Sequence, residues 1–451
     1  MGHVTTSVMW FRRDLRLGDN PAVLDAQAAG PDGVVPLFVL DARLWTPAAT
    51  ARTAYLSRLL TDFSDRVGGL HVGHGDPAVE VLNVARSVGA DTVHVAADHG
   101  PYGSRRDRRV EAALAEHDIA LVRTGSPHAV APGRVTKSDG SGYRVFTPFF
   151  RAWQEHGWRG PAPVATDVPW TRPDGRAHDI PDAAVPDGLT LPPVGEAAAL
   201  DRWRTFLDED VADYDDIRNL PGVDRTSRMS VHLKWGTIHP RTMLADLAPL
   251  RSGGAAAYAR ELGFREFYAD VLAQRPDSAF DYYNRAFARM EYDEPGEALE
   301  AWKAGRTGFP IVDAGMRQLR GEGWMHNRVR MIVASFLVKD LHIEWQHGAR
   351  HFLSLLVDAD LASNQHGWQW VAGCGTDAAP YFRVFNPVSQ GRKFDPDGTY
   401  IRRWVPELAD VEAPHVHEPW QLDELPAGYV APIVDHAEER REALRRYEAI
   451  R

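Results

Sequence analysis

A chain of 451 residues, 44% hydrophobic, 25% charged and 10% aromatic, is globular in composition and too long for one core. Two or three domains are expected, and disordered and fibrous classes are excluded. No apolar run reaches bilayer length and the start MGHVTTSVMWFRRDLRL lacks a signal peptide's apolar segment. The single cysteine, Cys374, excludes an internal disulfide or a Cys-cluster zinc site and predicts a cytoplasmic protein. A net charge of −11 speaks against bulk nucleic-acid binding but leaves room for a local basic face.

Over the first 125 residues, apolar runs at Val8 to Phe11, Val34 to Leu40, Leu70 to Val72, Thr92 to Ala96 and Ile119 to Val122 read as strands. Amphipathic stretches near Pro21 to Ala29, Ala51 to Val67, Pro77 to Val88 and Ser104 to His117 alternate with them. That alternation predicts a doubly wound parallel sheet covered by helices on both faces. Asn20-Pro21 and Asp76-Pro77 mark helix starts, a cap residue followed by Pro at the first helical position. Residues 126–195, with Pro161, Pro163, Pro169, Pro173, Pro181, Pro186, Pro192 and Pro193, read as an interdomain connector without long regular elements. Residues 196–451 read as all-helical, most clearly at Gly308 to Leu319, Met325 to Leu341 and Glu344 to Val357. Of 14 Trp, only Trp10 and Trp45 precede residue 150, so the two ends are built differently.

Standard signatures are absent: there is no P-loop, no H-E-x-x-H and no complete G-x-G-x-x-G, and Gly73-His74-Gly75 reads as a tight turn. Any ligand of the sheet is expected at the carboxyl ends of its strands. The helical half is richer. Thr226-Ser227-Arg228-Met229-Ser230 combines hydroxyls and a guanidinium before a helical stretch, which suits a phosphate or an ordinary N-cap. Asp358-Ala359-Asp360 offers a helix cap, a metal pair or acceptors for Arg. Asn327, Arg330 and Met331 share a helix face, and polar groups on an inner face need partners; Asp358 is the natural one for Arg330. Glu261 and Arg265, four apart, have the spacing of a solvated ion pair. Trp345, Trp368 and Trp370 have the packing role of most core aromatics as their ordinary reading.

Taken together, these residues closely resemble the photolyase/cryptochrome flavoprotein family, and within it the class I enzymes that repair cyclobutane pyrimidine dimers. The resemblance rests on WFRRDLRLGDNPAV (10–23), TSRMS (226–230), ELGFREFY (261–268), TGFPIVDAGMRQLRGEGWMHNRVRMIVASFLVKDL (307–341), VDADLASNQHGWQW (357–370) and APYFRVFNPVSQGRKFD (379–395). It implies an α/β antenna domain over 1–125, a connector over 126–195 and an all-helical FAD-binding catalytic domain over 196–451. By the same resemblance Tyr214, Thr226, Ser227, Arg228, Met229 and Ser230 hold the diphosphate and ribityl side of FAD. Tyr258 stands where the family usually contacts the flavin with Trp, and Arg330 and Asp358 pair beside the isoalloxazine with Asp360 nearby. Asn364 faces the flavin N5 position, where a neutral amide favours the repair enzymes over the sensors.

The resemblance further implies a substrate pocket lined by Glu261, Phe264, Asn327, Arg328, Met331 and Trp370, which takes a dimer flipped out of the duplex. Excited, fully reduced FAD donates an electron, the cyclobutane ring splits, and the electron returns. Arg218, Arg328 and Gln390 fall at matched DNA-contacting positions, with Lys393, Arg402 and Arg403 as candidate phosphate contacts. Phe264 replaces the family's second dimer-stacking Trp, and Tyr292 replaces the outermost Trp of a relay that begins with Trp368 and Trp345. Asn327 stands where enzymes repairing (6-4) photoproducts carry a proton-donating His, which favours cyclobutane dimers. A cryptochrome-like light sensor, a photolyase of different lesion preference and a general electron-transfer flavoprotein are the alternatives. Arg52, Asp98 and Lys234, with Phe38 against the ring, match the positions that hold an 8-hydroxy-5-deazaflavin antenna, ahead of methenyltetrahydrofolate. The expected partner is DNA carrying pyrimidine dimers, bound by a monomer that needs no membrane, no metal and no obligate protein partner.

Overall fold

In the first strand, β1 (Thr6–Phe11), Val8 and Trp10 enter one apolar cluster while Met9 and Phe11 enter another. In the second, β2 (Gly33–Asp41), Val34, Phe38 and Leu40 join the latter and Val35, Leu37 and Val39 the former. Side chains of a strand alternate between faces, so two buried faces mean a sheet covered on both sides. A computed structural model describes residues 5–46, 48–173, 178–376 and 382–451. Residues 379–381 of the last motif lie outside them. The strands β3 (His71–Gly75), β4 (Thr92–Val95) and β5 (Ala120–Arg123) complete a parallel sheet of order β3-β2-β1-β4-β5. The order reverses between β1 and β4, the switch point at which doubly wound sheets open a crevice. The helices α1 (Pro21–Ala29), α2 (Thr50–Arg66), α3 (Pro77–Ser87) and α4 (Pro101–Ala115) cover the sheet.

Two local expectations change. Gly73, His74 and Gly75 are not a tight turn: they extend β3 and pair with Val39, Leu40 and Asp41. Asp76 caps α3 by accepting from Ala78 N at 3.0 Å, whereas Asn20 turns its amide to the carbonyls of Asp14 and Arg16 and leaves α1 without a side-chain cap.

The connector contains a helix, α5 (Phe146–His156), ahead of its proline-rich part. Phe146, Phe149 and Trp153 of α5 are buried with Trp203, Phe206, Tyr258 and Phe267, so apolar spacing outweighed the proline count there. Further on, Val34 N donates to Pro169 O at 2.9 Å and Thr171 N to Val34 O at 3.0 Å. This short piece covers β2 before its pairing with β3 begins at Leu37.

The rest is helical. Around the site lie α6 (Gly253–Gln274), α7 (Pro310–Glu322), α8 (Asn327–Lys339), α9 (Trp345–Leu355), α10 (Leu361–Ala372), α11 (Pro387–Phe394) and α12 (Thr399–Trp404). Pro310 at the first helical position starts α7 later than the apolar spacing does, and His326 starts α8 by accepting from Arg328 N at 3.2 Å. The α7–α10 bundle carries the largest apolar cluster, with Trp302, Trp345 and Trp368 inside it.

Candidate functional site

Three helices and one loop supply most of the lining of a cavity of about 540 Å3 in the helical half. On α6, Tyr258, Glu261, Leu262 and Arg265 recur at three and four spacing and so share the face that lines it. On α8, Asn327, Arg330, Met331 and Ala334 do the same. The segment from Asp358 through α10 supplies Asp358, Asp360, Asn364, Trp368 and Trp370. The loop supplies Thr226, Ser227, Arg228 and Met229, followed by Ser230, with Tyr214 beside them.

The loop is held from behind. Arg228 sits at φ +53, a conformation costing roughly 1–2 kcal/mol for a residue with a Cβ. Its side chain meets Glu322 and Asp224 at 3.1 Å each and lies over the Trp324 ring at 4.4 Å. Arg202 donates to the carbonyls of Thr226 and Ser227, and Ser227 Oγ bonds the Tyr258 hydroxyl at 2.7 Å.

At the inner wall Arg330 Nη2 meets Asp358 Oδ2 at 2.8 Å, and Arg330 Nε donates to Met325 O at 2.8 Å. Asp358 Oδ1 is buried with no protein partner, and so is His326 Nε2. Burial, aided by Arg328 and Arg330, lowers the His326 pKa to about 4, so the ring is neutral at pH 7. Its Nδ1 accepts from Arg328 N, which leaves the proton on Nε2. An orphan acceptor and an orphan donor thus line one cavity, and buried polar groups of that kind call for a ligand. A flat heteroaromatic with both donors and acceptors on its edge fits, as does a diphosphate against the 226–230 loop. These residues therefore fit FAD.

Glu261, Met331 and Trp370 are half-buried and Asn327 is exposed, which puts them at the mouth. Glu261 does not pair with Arg265. Arg218 lies 2.8 Å from Glu261 Oε1, although not aligned for a directed hydrogen bond, and Arg265 turns to Pro127 O, His128 and Glu266. Burial raises the Glu261 pKa and Arg218 only partly offsets it. Phe264 lines the cavity but stacks one ring face on buried Phe146, with centroids 3.4 Å apart and planes 7° apart. Asp360 caps α10 through Ser363 N at 3.1 Å and pairs with Arg13 of the sheet domain at 2.6 Å. Asn364 donates to Ala349 O at 3.2 Å and to Gln365 Oε1 at 2.8 Å.

Outside the mouth, Arg328 is anchored by Asn219 Oδ1 at 2.8 Å and lies over the Phe394 ring at 4.4 Å, with Lys393 over the same ring at 5.2 Å. Arg218, Arg328 and Lys393 thus form a local basic face, and Gln390 stands one turn before Lys393 on α11. Exposed Arg403 lies 3.9 Å from Glu322, whereas Arg402 turns inward to Val411 O at 3.2 Å, away from a phosphate role.

Arg52, Asp98 and Lys234 interact electrostatically between the domains. Arg52 also donates to Leu353 O and Leu356 O at the end of α9, and Phe38 is buried in the sheet. Burial, reinforced by Arg13, lowers Lys234 to about 7. Around the relay residues, Trp368 meets Trp302 at 6.1 Å and Trp345 meets Tyr282 at 6.3 Å, and Tyr282 in turn lies 6.3 Å from Tyr292. Residue patterns alone missed Arg13, Asn219, Tyr282 and His326. Arg13 and His326 stood inside the 10–23 and 307–341 motifs without a role, whereas Asn219 and Tyr282 lay outside every motif.

A switch-point sheet is thus joined to a helical bundle whose cavity has the size for a nucleotide and is lined by donors and acceptors. The family description "DNA photolyase" matches residues 7–169, and "FAD binding domain of DNA photolyase" matches 258–449. The deoxyribodipyrimidine photo-lyase of Streptomyces griseus is 44% identical over 97% of this chain and 98% of that protein. A class III photolyase from Agrobacterium tumefaciens superposes with a TM-score of 0.92 at 34% identity over 100% of this chain and 98% of the other. A Synechocystis sp. PCC6803 cryptochrome does so at 0.91 and 25% identity over 98% and 99%. The chain belongs to the DNA photolyase family.

Proposed function

We propose that this protein repairs cyclobutane pyrimidine dimers in DNA by light-driven electron transfer. The observation that carries the reading is the continuity of one cavity from the Arg330–Asp358 pair at its inner wall to Glu261, Asn327 and Trp370 at its mouth. Bound and fully reduced, FAD would supply on excitation the single electron that opens the cyclobutane ring, and would take it back afterwards.

The chain's own residues do the rest. Tyr214 and Thr226 to Ser230 bind the diphosphate side, and the orphan atoms of Asp358 and His326 bind the ring edge. Asn364, held by Ala349 O, presents an amide that cannot release a proton at neutral pH. Trp370 stacks on the flipped bases, and Phe264, backed by Phe146, offers only its free face. Glu261 hydrogen-bonds the dimer's carbonyl edge, and Met331 helps to exclude water. Arg218, Arg328, Gln390, Lys393 and Arg403 contact the DNA backbone. The Arg52, Asp98 and Lys234 site takes 8-hydroxy-5-deazaflavin as antenna, and reconstitution with it should raise repair at its absorption band.

The test uses purified protein, chemically reduced, with oligonucleotides carrying either a cyclobutane dimer or a (6-4) photoproduct, in blue light and in darkness. Light-dependent loss of the cyclobutane dimer alone is expected. Loss of the (6-4) lesion instead would reassign the substrate. No repair with flavin confirmed reduced would favour the sensor reading, for which the likeness to the Synechocystis cryptochrome is the supporting observation.

A further inference from the structure

Trp368 and Trp345 are 3% and 0% exposed, so an electron vacancy on Trp345 reaches solvent only through another oxidisable ring. Trp302 offers no way out: it is fully buried and its ring N–H donates to Val333 O at 3.0 Å. Tyr282 does. Its ring meets Trp345 edge-on at 6.3 Å and also lies 6.3 Å from Tyr292 with the planes 20° apart. Tyr292 is half-buried at the surface.

A tyrosine gives up an electron readily only if its proton leaves too. The Tyr282 hydroxyl donates to Glu344 Oε1 at 2.7 Å, and Glu344 directly precedes Trp345. The Tyr292 hydroxyl lies in hydrogen-bonding range of Tyr282. A phenol carries one proton and a carboxylate only accepts, so the Tyr282 proton is directed at Glu344. Burial raises the pKa of both tyrosines, so each is protonated before a flash.

We propose that Tyr282 and Glu344 form a proton-coupled hop in the photoreduction relay, between Trp345 and Tyr292, on the premise that the protein carries FAD as argued above. Trp368 loses an electron to the photo-excited oxidised flavin and regains one from Trp345. Trp345 regains one from Tyr282, whose O–H bond breaks as the proton passes to the Glu344 carboxylate. The Tyr282 radical then takes a hydrogen atom from Tyr292, and an external thiol returns a hydrogen atom to Tyr292. In sum, one electron moves from thiol to flavin and one proton rests on Glu344.

The test is flash transient absorption on the FAD-loaded protein in water and in heavy water, with Tyr282→Phe and Glu344→Gln at matched flavin content. In the wild type a tyrosyl signal should follow the tryptophan signal, more slowly in heavy water. Tyr282→Phe should remove the tyrosyl signal and cut photoreduction yield about tenfold or more. Glu344→Gln, which keeps the shape, should slow the hop by about a hundredfold, the low end of what a positioned base contributes, and abolish the heavy-water effect. An unchanged tyrosyl signal and yield in Tyr282→Phe, or an unchanged heavy-water effect in Glu344→Gln, overturns the hop. Repair by chemically reduced wild-type protein is scored in parallel. Failure there removes the functional reading itself, whereas normal repair beside an unaffected Tyr282→Phe removes the hop alone.

Discussion

Glu261 stands between two pulls on its proton: burial raises its pKa and Arg218 lowers it, and burial prevails. On the proposed reading, that carboxyl meets the dimer's carbonyl edge at the mouth. Glu261→Ala should therefore lower the repair yield by about tenfold, the size of one strong hydrogen bond, with FAD content unchanged. Quantum yield and flavin absorbance together check this, and loss of flavin would give Glu261 a structural role. The sequence motif marked Glu261 but not its partner. A four-residue spacing names Arg265, and only the fold brings up Arg218 from a separate segment.

Among elements, the contact between α9 and α10 positions Trp368, the ring proposed to open the relay. A Cβ at Gly348 would overlap Trp368 Cη2 and crowd Leu337. Gly348→Ala should cost about 1–3 kcal/mol as overpacking and should also lower photoreduction yield, read by thermal melting and by flash absorption. Where β4 meets α4, burial alone would raise the pKa of Asp98. Arg106, Arg12, Arg13 and the Gly100 N–H together hold it at about 2 instead. A folded pKa below the unfolded value means that the stabilising contribution is complete above about pH 4 and fades as pH falls through 2. The stability difference between wild type and Asp98→Asn should therefore shrink on acidification across that window, as followed by denaturant melts.

For the whole molecule, a −11 chain that binds DNA must concentrate its cations. Arg328 and Lys393 lie over Phe394 beside the mouth, with Arg218 close enough to act on Arg328. Affinity for dimer-containing duplex should fall steeply with salt, and Lys393→Ala should reduce the slope of log affinity against log salt by about one. Titration from low to moderate salt checks both, and a flat response would contradict the basic face. The two halves are tied by Arg13 to Asp360 and by Arg52 to the end of α9, so a charge proposed for the antenna site also joins the domains.

Alternating strands, proline-started helices and the three- and four-spaced face of α8 were legible in the sequence, because each is a short-range period set by backbone geometry, whereas the spacing on α6 suggested a Glu261–Arg265 pair that does not form. The motifs likewise marked the cavity wall, from Thr226 to Trp370. Other features were decided by tertiary packing alone. Arg13 reaches Asp360, Arg218 reaches Glu261, Asn219 holds Arg328, Phe146 covers Phe264, and Tyr282 stands between Trp345 and Tyr292. Each joins segments far apart in the chain, and no local period records which ring or charge will be the neighbour once helices pack. Buried charges take whatever partner the closed core brings within reach, because leaving them unpaired costs several kcal/mol, roughly.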